Sequence, residues 1–265
     1  MNGTEKGTAL EANSISFGYG KALVLKNVGF SFQRGEFAAL VGPNGSGKTT
    51  LLKIILGTLS PIEGEVLLDG KPVLSYPLKE RAKKIAYVSQ QPFFSFPLTV
   101  LELVSLGRYP YESRFQRKPE EQAIEEALSV TDSFSLRERK LTSLSGGEKQ
   151  KVLISRALAQ SRHLLLMDEP TVHLDLYFQL QILKTLKEIC REKCLTVVAV
   201  LHDLNLVSLF ADRVLLLKAG ELHAFGKTQE VVNERNIKEA FGVEVVARKD
   251  PEIDTWYFLP RKPQQ

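Results

Sequence analysis

The chain has 265 residues, of which 43% are hydrophobic and 25% are charged, and this composition excludes fibrous, disordered and disulfide-rich proteins. The length lies near the upper limit of a single hydrophobic core, so we expect one large domain or one domain with an insertion. The formal net charge of +4 is spread along the chain rather than gathered into a basic arm, so it gives no indication of nucleic-acid binding.

Two further features of the sequence concern the compartment. The two cysteines, Cys190 and Cys194, lie in one predicted helix without the spacing of metal ligands, which favours a reducing, cytoplasmic setting. No segment approaches the ~18 consecutive apolar residues that span a bilayer, and the N-terminus has no apolar core. We therefore expect a chain that is neither exported nor membrane-spanning.

Short apolar runs alternate with segments of helical periodicity along most of the chain. The runs that we predict as buried strands are 37–41, 85–88, 164–167, 196–201 and 213–217. The segments that we predict as helices are 49–56, 147–159 and 176–192, with a further helix at 231–240 and extended segments at 243–247 and 256–259. The alternation predicts a largely parallel sheet flanked by helices.

Two regions depart from this alternation. Glycine-containing turns join the predicted strands of 8–35 and 64–75, which indicates a small antiparallel addition. Residues 91–145 hold several prolines and a helical stretch at 120–130, which indicates an inserted helical subdomain. We therefore expect one domain, 1–265, in which 1–90 and 146–265 form the α/β core with its antiparallel addition and 91–145 form the helical subdomain.

A glycine-rich segment joins the first predicted buried strand to the helix that follows it. It satisfies the pattern G-x-x-x-x-G-K-[ST] in the strand-to-helix context that this pattern requires. Its residues are Gly42, Pro43, Asn44, Gly45, Ser46, Gly47, Lys48, Thr49 and Thr50. Backbone N–H groups of such a loop surround phosphate oxygens, while Lys48 would reach the β and γ phosphates and the Thr49 hydroxyl would bind Mg²⁺. The sequence therefore predicts a nucleoside triphosphate site.

The predicted strand at 164–167 ends in two acids, Asp168 and Glu169. A strand of this kind places a carboxylate at its carboxyl end, beside the phosphate loop. There Asp168 would hold the hydration shell of Mg²⁺, and Glu169 would polarise a water for in-line attack on the γ phosphate. The sequence leaves open whether Glu169 accepts a proton or only orients that water.

The segment Leu144–Gln150, with the sequence LSGGEKQ, opens the predicted helix at 147–159. Ser145 is a candidate N-cap, and the glycines after it leave helix N–H groups exposed, which makes a second anion site. The residues assigned to this site are Ser145, Gly146, Gly147 and Glu148. Because one chain does not need two such sites, we expect this one to serve the nucleotide of a second copy in a two-fold dimer.

The phosphate loop, Leu144–Gln150 and Leu164–Pro170, in this order and spacing, resemble the ATP-binding subunit of ABC transporters over nearly the whole chain. The resemblance implies a P-loop NTPase core of the RecA-like kind that binds ATP and Mg²⁺ and hydrolyses ATP. It also implies roles for four single residues. Tyr19 would stack on adenine, Gln90 would contact Mg²⁺ and the attacking water, Asp175 would end the loop that crosses the dimer interface, and His202 would contact the γ phosphate.

The segment 101–111 and the segments 202–206 and 211–214 resemble importers of iron siderophores, haem and cobalamin. This resemblance implies two membrane-spanning permease subunits as partners, an indirect link to a substrate-binding protein, and a peripheral position on the cytoplasmic face of the membrane. The permease would dock near Gln90. The phenylalanines of this region are either the apolar floor of that groove or core packing: Phe93, Phe94 and Phe96.

Alternatives to the import of siderophores, haem or cobalamin remain open at this stage. The same ATPase could serve another importer class or an exporter. A non-transport ATPase acting on nucleic acid or ribosomes is disfavoured, because the chain carries no sustained heptads and no second ATPase module.

The basic residues outside the motifs are expected to form solvated faces rather than to contact lipid or a membrane partner: Lys79, Arg81, Lys83, Lys84, Arg114 and Arg117.

Overall fold

The structure is a computed structural model that describes residues 7–90, 97–111 and 118–261. Its strands are β1 (Thr8–Tyr19), β2 (Ala22–Gln33), β3 (Phe37–Val41), β4 (Glu63–Leu68), β5 (Lys71–Pro72), β6 (Ile85–Val88), β7 (Leu164–Met167), β8 (Thr196–Val200), β9 (Arg213–Lys218), β10 (Glu221–Lys227), β11 (Val245–Asp250) and β12 (Thr255–Pro260). Its helices are α1 (Lys48–Ile55), α2 (Leu78–Lys84), α3 (Val100–Leu106), α4 (Lys118–Val130), α5 (Gly146–Gln160), α6 (Leu176–Lys193), α7 (Leu204–Phe210), α8 (Thr228–Val231) and α9 (Glu234–Phe241).

The five predicted buried strands form one six-stranded sheet, completed by β10. The order across this main sheet is β10-β9-β3-β8-β7-β6. Strands β9, β3, β8, β7 and β6 run parallel, and β10 pairs antiparallel with β9 at the edge. Strands β3, β7 and β8 are buried along their whole length, which is the pattern of parallel strands covered on both faces.

The main sheet separates two hydrophobic cores because successive side chains of a strand point to opposite faces. On β3, Phe37 and Ala39 belong to a core that α3, α4, α5 and α6 cover. Ala38 and Leu40 belong to a second core, formed with α1 and the antiparallel strands β1, β2 and β4. The apolar runs read from the sequence are therefore buried from both sides.

The predicted antiparallel addition is a four-stranded sheet in the order β2-β1-β4-β5. Between residues 97 and 145, the described part of the chain forms α3, α4 and short 3₁₀ turns that pack on α5. A buried hydroxyl contact ties α5 to the end of α4, since Thr131 Oγ1 lies 2.5 Å from Ser155 Oγ. We keep 91–145 as a proposed helical subdomain.

The structure corrects the predicted C-terminal helix at 231–240. Helix α8 ends at Val231 and α9 begins only at Glu234. Asn233 is the N-cap of α9, and its side-chain oxygen accepts the N–H of Asn236 at 2.9 Å. An asparagine that bonds the backbone in this way favours a new helix start over the interior of a helix.

The prediction that both cysteines lie within one helix is also wrong. Cys190 is buried in α6, but Cys194 is the C-cap of that helix, exposed and in the left-handed region at φ 54°. Two short helices are not predicted from the sequence: α2, which buries none of its residues, and the seven-residue α7. Within the described ranges, no helix has the length and apolar character needed to cross a lipid bilayer.

Leu186 tests the core on the helical side of the main sheet. Leu186→Ala should lower the free energy of unfolding by ~2–5 kcal/mol, because the side chain is fully buried in α6. The matched control Leu106→Ala changes a residue that is 54% exposed, and its effect should stay within ~0.5 kcal/mol. Urea denaturation of the nucleotide-free chain measures both. Equal losses in the two variants would contradict the assignment of Leu186 to the core.

Candidate functional site

Part of the predicted site lies at the carboxyl edge of the main sheet, where the residues that follow four of its strands come together. Parallel strands end at the same edge, and ligand sites of such sheets form there. The phosphate loop follows β3, Gln90 lies two residues after β6, Asp168 follows β7 and His202 lies two residues after β8. Since β3, β8, β7 and β6 are consecutive in the sheet, four separate segments of the sequence come together.

The phosphate loop binds the side chain of its own lysine through backbone carbonyl groups. Gly47 is the N-cap of α1 at φ 98°, a backbone conformation that favours glycine, and a Cβ there would also crowd Leu25 Cδ2 at 2.6 Å. The buried Lys48 donates from Nζ to the carbonyl oxygens of Gly42 at 2.8 Å and Pro43 at 2.9 Å. Burial lowers the pKa of Lys48, while Glu169 and Asp168 oppose that shift. The ammonium group is thus positioned within the loop.

Asp168 lies buried beside the loop with an unsatisfied oxygen. Its Oδ2 accepts a hydrogen bond from the Tyr87 hydroxyl at 3.4 Å. Burial raises the pKa of Asp168, and the neighbouring Thr49 hydroxyl opposes that rise. Burial also raises the pKa of Tyr87 to about 12. Within the described residues, Asp168 Oδ1 and Ser46 Oγ are buried without a hydrogen-bond partner. Such oxygen donors fit Mg²⁺ and its bound waters.

Glu169 is held from two sides. Gln90 donates from Nε2 to Glu169 Oε2 at 2.6 Å, and His202 Nε2 lies 2.7 Å from Glu169 Oε1. Glu169 itself takes a left-handed backbone conformation at φ 54°, which is strained for a residue with a side chain. Because β7 lies between β6 and β8, the residues that follow those two strands reach this carboxylate from either side.

Ser145 is the N-cap of α5, as predicted. Its Oγ accepts the N–H of Glu148 at 3.3 Å, and Glu148 Oε2 accepts the N–H of Ser145 at 2.7 Å, which completes a capping box. Arg139 donates to the other oxygen of Glu148 at 3.2 Å. The backbone bond from Ser145 is the main cause of the lowered pKa of Glu148. The Glu148 carboxylate therefore holds the turn in place.

The start of α5 packs directly against the start of α6. A Cβ on Gly147 would lie 2.2 Å from Phe178 Cγ, so this glycine allows the two helices to approach closely. Asp175 is the N-cap of α6 and accepts the N–H of Phe178 at 3.0 Å. Next to it, Leu176 and Tyr177 are more than 60% exposed. The segment 145–148 contacts Arg139, Leu174 and Phe178, none of which belongs to the phosphate loop.

Tyr19 ends β1 and is 53% exposed, with its ring packed edge-on against Phe17 at a centroid distance of 5.0 Å. The neighbouring strand β2 reaches the phosphate loop through Leu25, so the β1–β2 hairpin lies near the nucleotide site. The role of Tyr19 stays a prediction. Phe93, Phe94, Phe96, Arg114 and Arg117 lie outside the described residues.

Sequence reasoning missed three residues of this region: Tyr87, Arg139 and Phe178. In the sequence, Tyr87 is only one residue of a predicted strand. Its contact with Asp168 depends on β6 and β7 being neighbours in the sheet. Phe178 is one more apolar residue of a periodic helix. The one usable signal was Gly147, because a glycine in the first turn of a helix indicates a close approach by another element.

Comparison with known proteins places these features in a family. The family model described as ABC transporter matches residues 25–172. The ferric enterobactin transport ATP-binding protein FepC of Escherichia coli (strain K12) is 36% identical over 259 residues, covering 97% of this chain and 96% of that protein. The petrobactin import ATP-binding protein FpuD of Bacillus anthracis is 35% identical, covering 95% of this chain and 93% of that protein.

Solved structures show the same fold. A chain from a structure titled as a metal-chelate type ABC transporter in an inward-facing conformation superposes with a TM-score of 0.84 at 30% identity, covering 96% of this chain and 98% of that one. A bacterial ABC transporter cassette solved as a dimer superposes with a TM-score of 0.72 at 34% identity, covering 83% of this chain and 98% of that one. The α/β fold predicted from the sequence is confirmed.

The contact between α5 and α6 gives a test. Gly147→Ala should lower the free energy of unfolding by ~1–3 kcal/mol, because the new methyl group would overlap the Phe178 ring. In the control Gly146→Ala, the nearest atom to the new Cβ is Leu174 Cδ2 at 3.7 Å, an ordinary contact, so stability should be retained. Thermal unfolding of the nucleotide-free chain measures both. If Gly147→Ala proved as stable as the control, α6 would accommodate the added methyl group without a loss of stability, and the prediction would be wrong.

Proposed function

Since this chain belongs to the ABC transporter family and hydrolyses ATP, we propose that it powers the import of iron siderophores. The observation that carries the cargo is the set of relatives at 35–37% identity over most of the chain, whose names assign them to ferric enterobactin, petrobactin, achromobactin and other siderophore transport. The geometry supports the hydrolytic step, because Glu169 is held between Gln90 and His202 at the edge that carries the phosphate loop.

The proposed roles follow from position and charge. The loop N–H groups and Lys48 bind the β and γ phosphates and stabilise the charge that develops on them. Glu169 orients the attacking water or accepts its proton, and the two groups that hold its carboxylate fix the direction in which it faces. His202, whose side chain is 40% exposed, would contact the γ phosphate.

We propose Thr49, Gln90 and Asp168 as the residues that hold Mg²⁺. The unsatisfied Asp168 oxygen supports this assignment, and Thr49, in the first turn of α1, neighbours the Asp168 carboxylate. When bound, Mg²⁺ neutralises charge on the transferred phosphoryl group and its leaving group. Tyr87 keeps the other Asp168 oxygen occupied, so the carboxylate presents one free oxygen to the site.

We propose a second copy of the chain as the partner that completes the site. The segment Ser145–Glu148 and Asp175 form a surface that makes its contacts away from the phosphate loop of their own chain. The exposed apolar side chains Leu176 and Tyr177 next to this surface favour burial against another protein. One of the similar structures is a cassette solved as a dimer, which supports the pairing of two copies.

We infer the remaining partners from family membership. We propose two membrane-spanning permease subunits that dock near Gln90 and the subdomain 91–145, and a substrate-binding protein that acts through them. The chain would then sit peripherally on the cytoplasmic face of the membrane.

Uptake in the native host tests the cargo. Deleting the gene should abolish uptake of iron-55 supplied as a ferric siderophore, and restoring wild type should recover it. Restoring Glu169→Gln should not, because that variant lacks the carboxylate that acts on water. Uptake of haem and cobalamin is measured in the same cells. Siderophore uptake that persists in the deletion strain, or a defect confined to haem or cobalamin, would contradict the proposed cargo.

The mass of the chain in solution tests the dimer. Glu169→Gln should bind ATP without hydrolysing it, and its mass by light scattering should double at saturating ATP. Adding Ser145→Arg should keep the chain monomeric while ATP binding is retained, because that segment serves the nucleotide of the partner. A monomer at saturating ATP contradicts the shared site. Loss of ATP binding in the Ser145→Arg monomer would place the segment in its own pocket.

A further inference from the structure

Strands β11 and β12 form a C-terminal hairpin separate from the two larger sheets. A lone two-stranded hairpin is marginally stable, so its position depends on what it packs against. Val245 and Phe258 are 6% and 5% exposed and join the core on the helical side of the main sheet. Glu234 of α9 accepts the N–H of Ala247 at 2.7 Å. The hairpin is therefore fixed to the body of the domain.

Helix α7 begins two residues after His202. With seven residues it is too short to be stable alone, so tertiary contacts must fix it. Its N-cap is Asp203, whose Oδ1 accepts the N–H of Asn205 at 2.8 Å and of Leu206 at 3.3 Å. Because His202 adjoins this cap, the position of α7 determines where the imidazole lies.

Asn205 joins the hairpin to α7. Its side-chain oxygen Oδ1 accepts the N–H of Phe258 at 2.7 Å, across 53 positions of sequence. This N–H points away from β11, and Phe258 is buried, so the N–H needs an acceptor outside the hairpin. Asn205 thus binds the cap of α7 through its backbone and β12 through its side chain.

We propose that Asn205 is a positioning residue for His202. The C-terminal hairpin holds Asn205, Asn205 holds the Asp203 cap, and the cap sets the imidazole at 2.7 Å from Glu169 Oε1. This inference rests on the proposed role of His202 in hydrolysis. It assigns the hairpin, which lies outside the motifs of the site, a part in the geometry of that site.

The size of the effect follows from how strictly catalytic geometry must be kept. A displacement of 1 Å in a catalytic group can cost ~100-fold in rate. Removing one hydrogen bond lets α7 shift but leaves Leu206 and Val207 buried, so the helix itself should survive. The expected result is a lower turnover number in a folded protein.

Kinetics of three full-length variants test the proposal. Asn205→Ala removes the acceptor, Asn205→Asp keeps an oxygen at the same place, and Asn236→Ala is the matched control. Like Asn205, Asn236 makes one side-chain hydrogen bond to another element, but it is the donor, from Nδ2 to the Val231 carbonyl at 2.8 Å, and among the described residues it makes no hydrogen bond to α7. Asn205→Ala should lower kcat by roughly 5- to 50-fold with the KM for ATP almost unchanged. Asn205→Asp and Asn236→Ala should stay near wild type.

Nitrogen-15 NMR of the imidazoles supplies a readout that does not depend on turnover. The chain has four histidines, so the His202 signals can be assigned with His202→Gln. In the nucleotide-free chain, Asn205→Ala should move the His202 signals and leave those of His163 and His173 in place. Asn236→Ala should move none of the three.

Several outcomes overturn the proposal. These are a His202 signal that does not move in Asn205→Ala, an equal movement in Asn236→Ala, and a moved signal with an unchanged kcat. His202→Gln separates this proposal from the proposed function. If that variant hydrolyses ATP at the wild-type rate, the catalytic role of His202 fails, while the NMR experiment still reports whether Asn205 positions the ring.

Discussion

The contacts of Gln90 and His202 with the Glu169 carboxylate depend on the order of strands in the main sheet. Gln90 and Glu169 are 79 residues apart, and they meet because β6 and β7 are neighbours. His202 reaches the same carboxylate because β8 lies on the other side of β7. Parallel strands ending at one edge thus bring a donor to each side of a single acid. The strained backbone of Glu169 is kept because these contacts hold its side chain.

Burial of charge is the second constraint on this edge. Lys48 is 7% exposed and Asp168 is 5% exposed, and burial moves the pKa of Lys48 down and that of Asp168 up. Burial disfavours the charged form of each group, while the opposite charge of the other group favours it. The unsatisfied oxygens of Ser46 and Asp168 add to the cost of this arrangement. Proteins retain such unsatisfied polar groups mainly where function requires them, which supports a phosphate and metal site here.

The start of α5 and the start of α6 form a second surface that behaves as one unit. Gly147 lets Phe178 pack against the turn, and the caps at Ser145 and Asp175 fix both helix ends. Because packed interiors transmit displacement rather than absorb it, a partner that binds this surface would act on both helices together. The C-terminal hairpin adds a separate link, through the hydrogen bond between Phe258 and Asn205 of α7.

Features that depend on short spacing can be predicted from the sequence. The phosphate loop, the acids after β7, the N-cap at Ser145 and the alternation of strands and helices each lie within a few consecutive residues, where local geometry decides the structure. The order of strands in the sheet, and the contacts of Glu169 and Tyr87 that depend on it, are known only from the folded structure. The contact of Phe178 with the start of α5 is likewise known only from the folded structure. The C-terminal helix break and the contact of Asn205 with Phe258 also lay beyond prediction. Such contacts join segments that are distant in the sequence. These segments become neighbours because two cores pack on the two faces of one sheet, and no local pattern specifies the order of strands in that sheet.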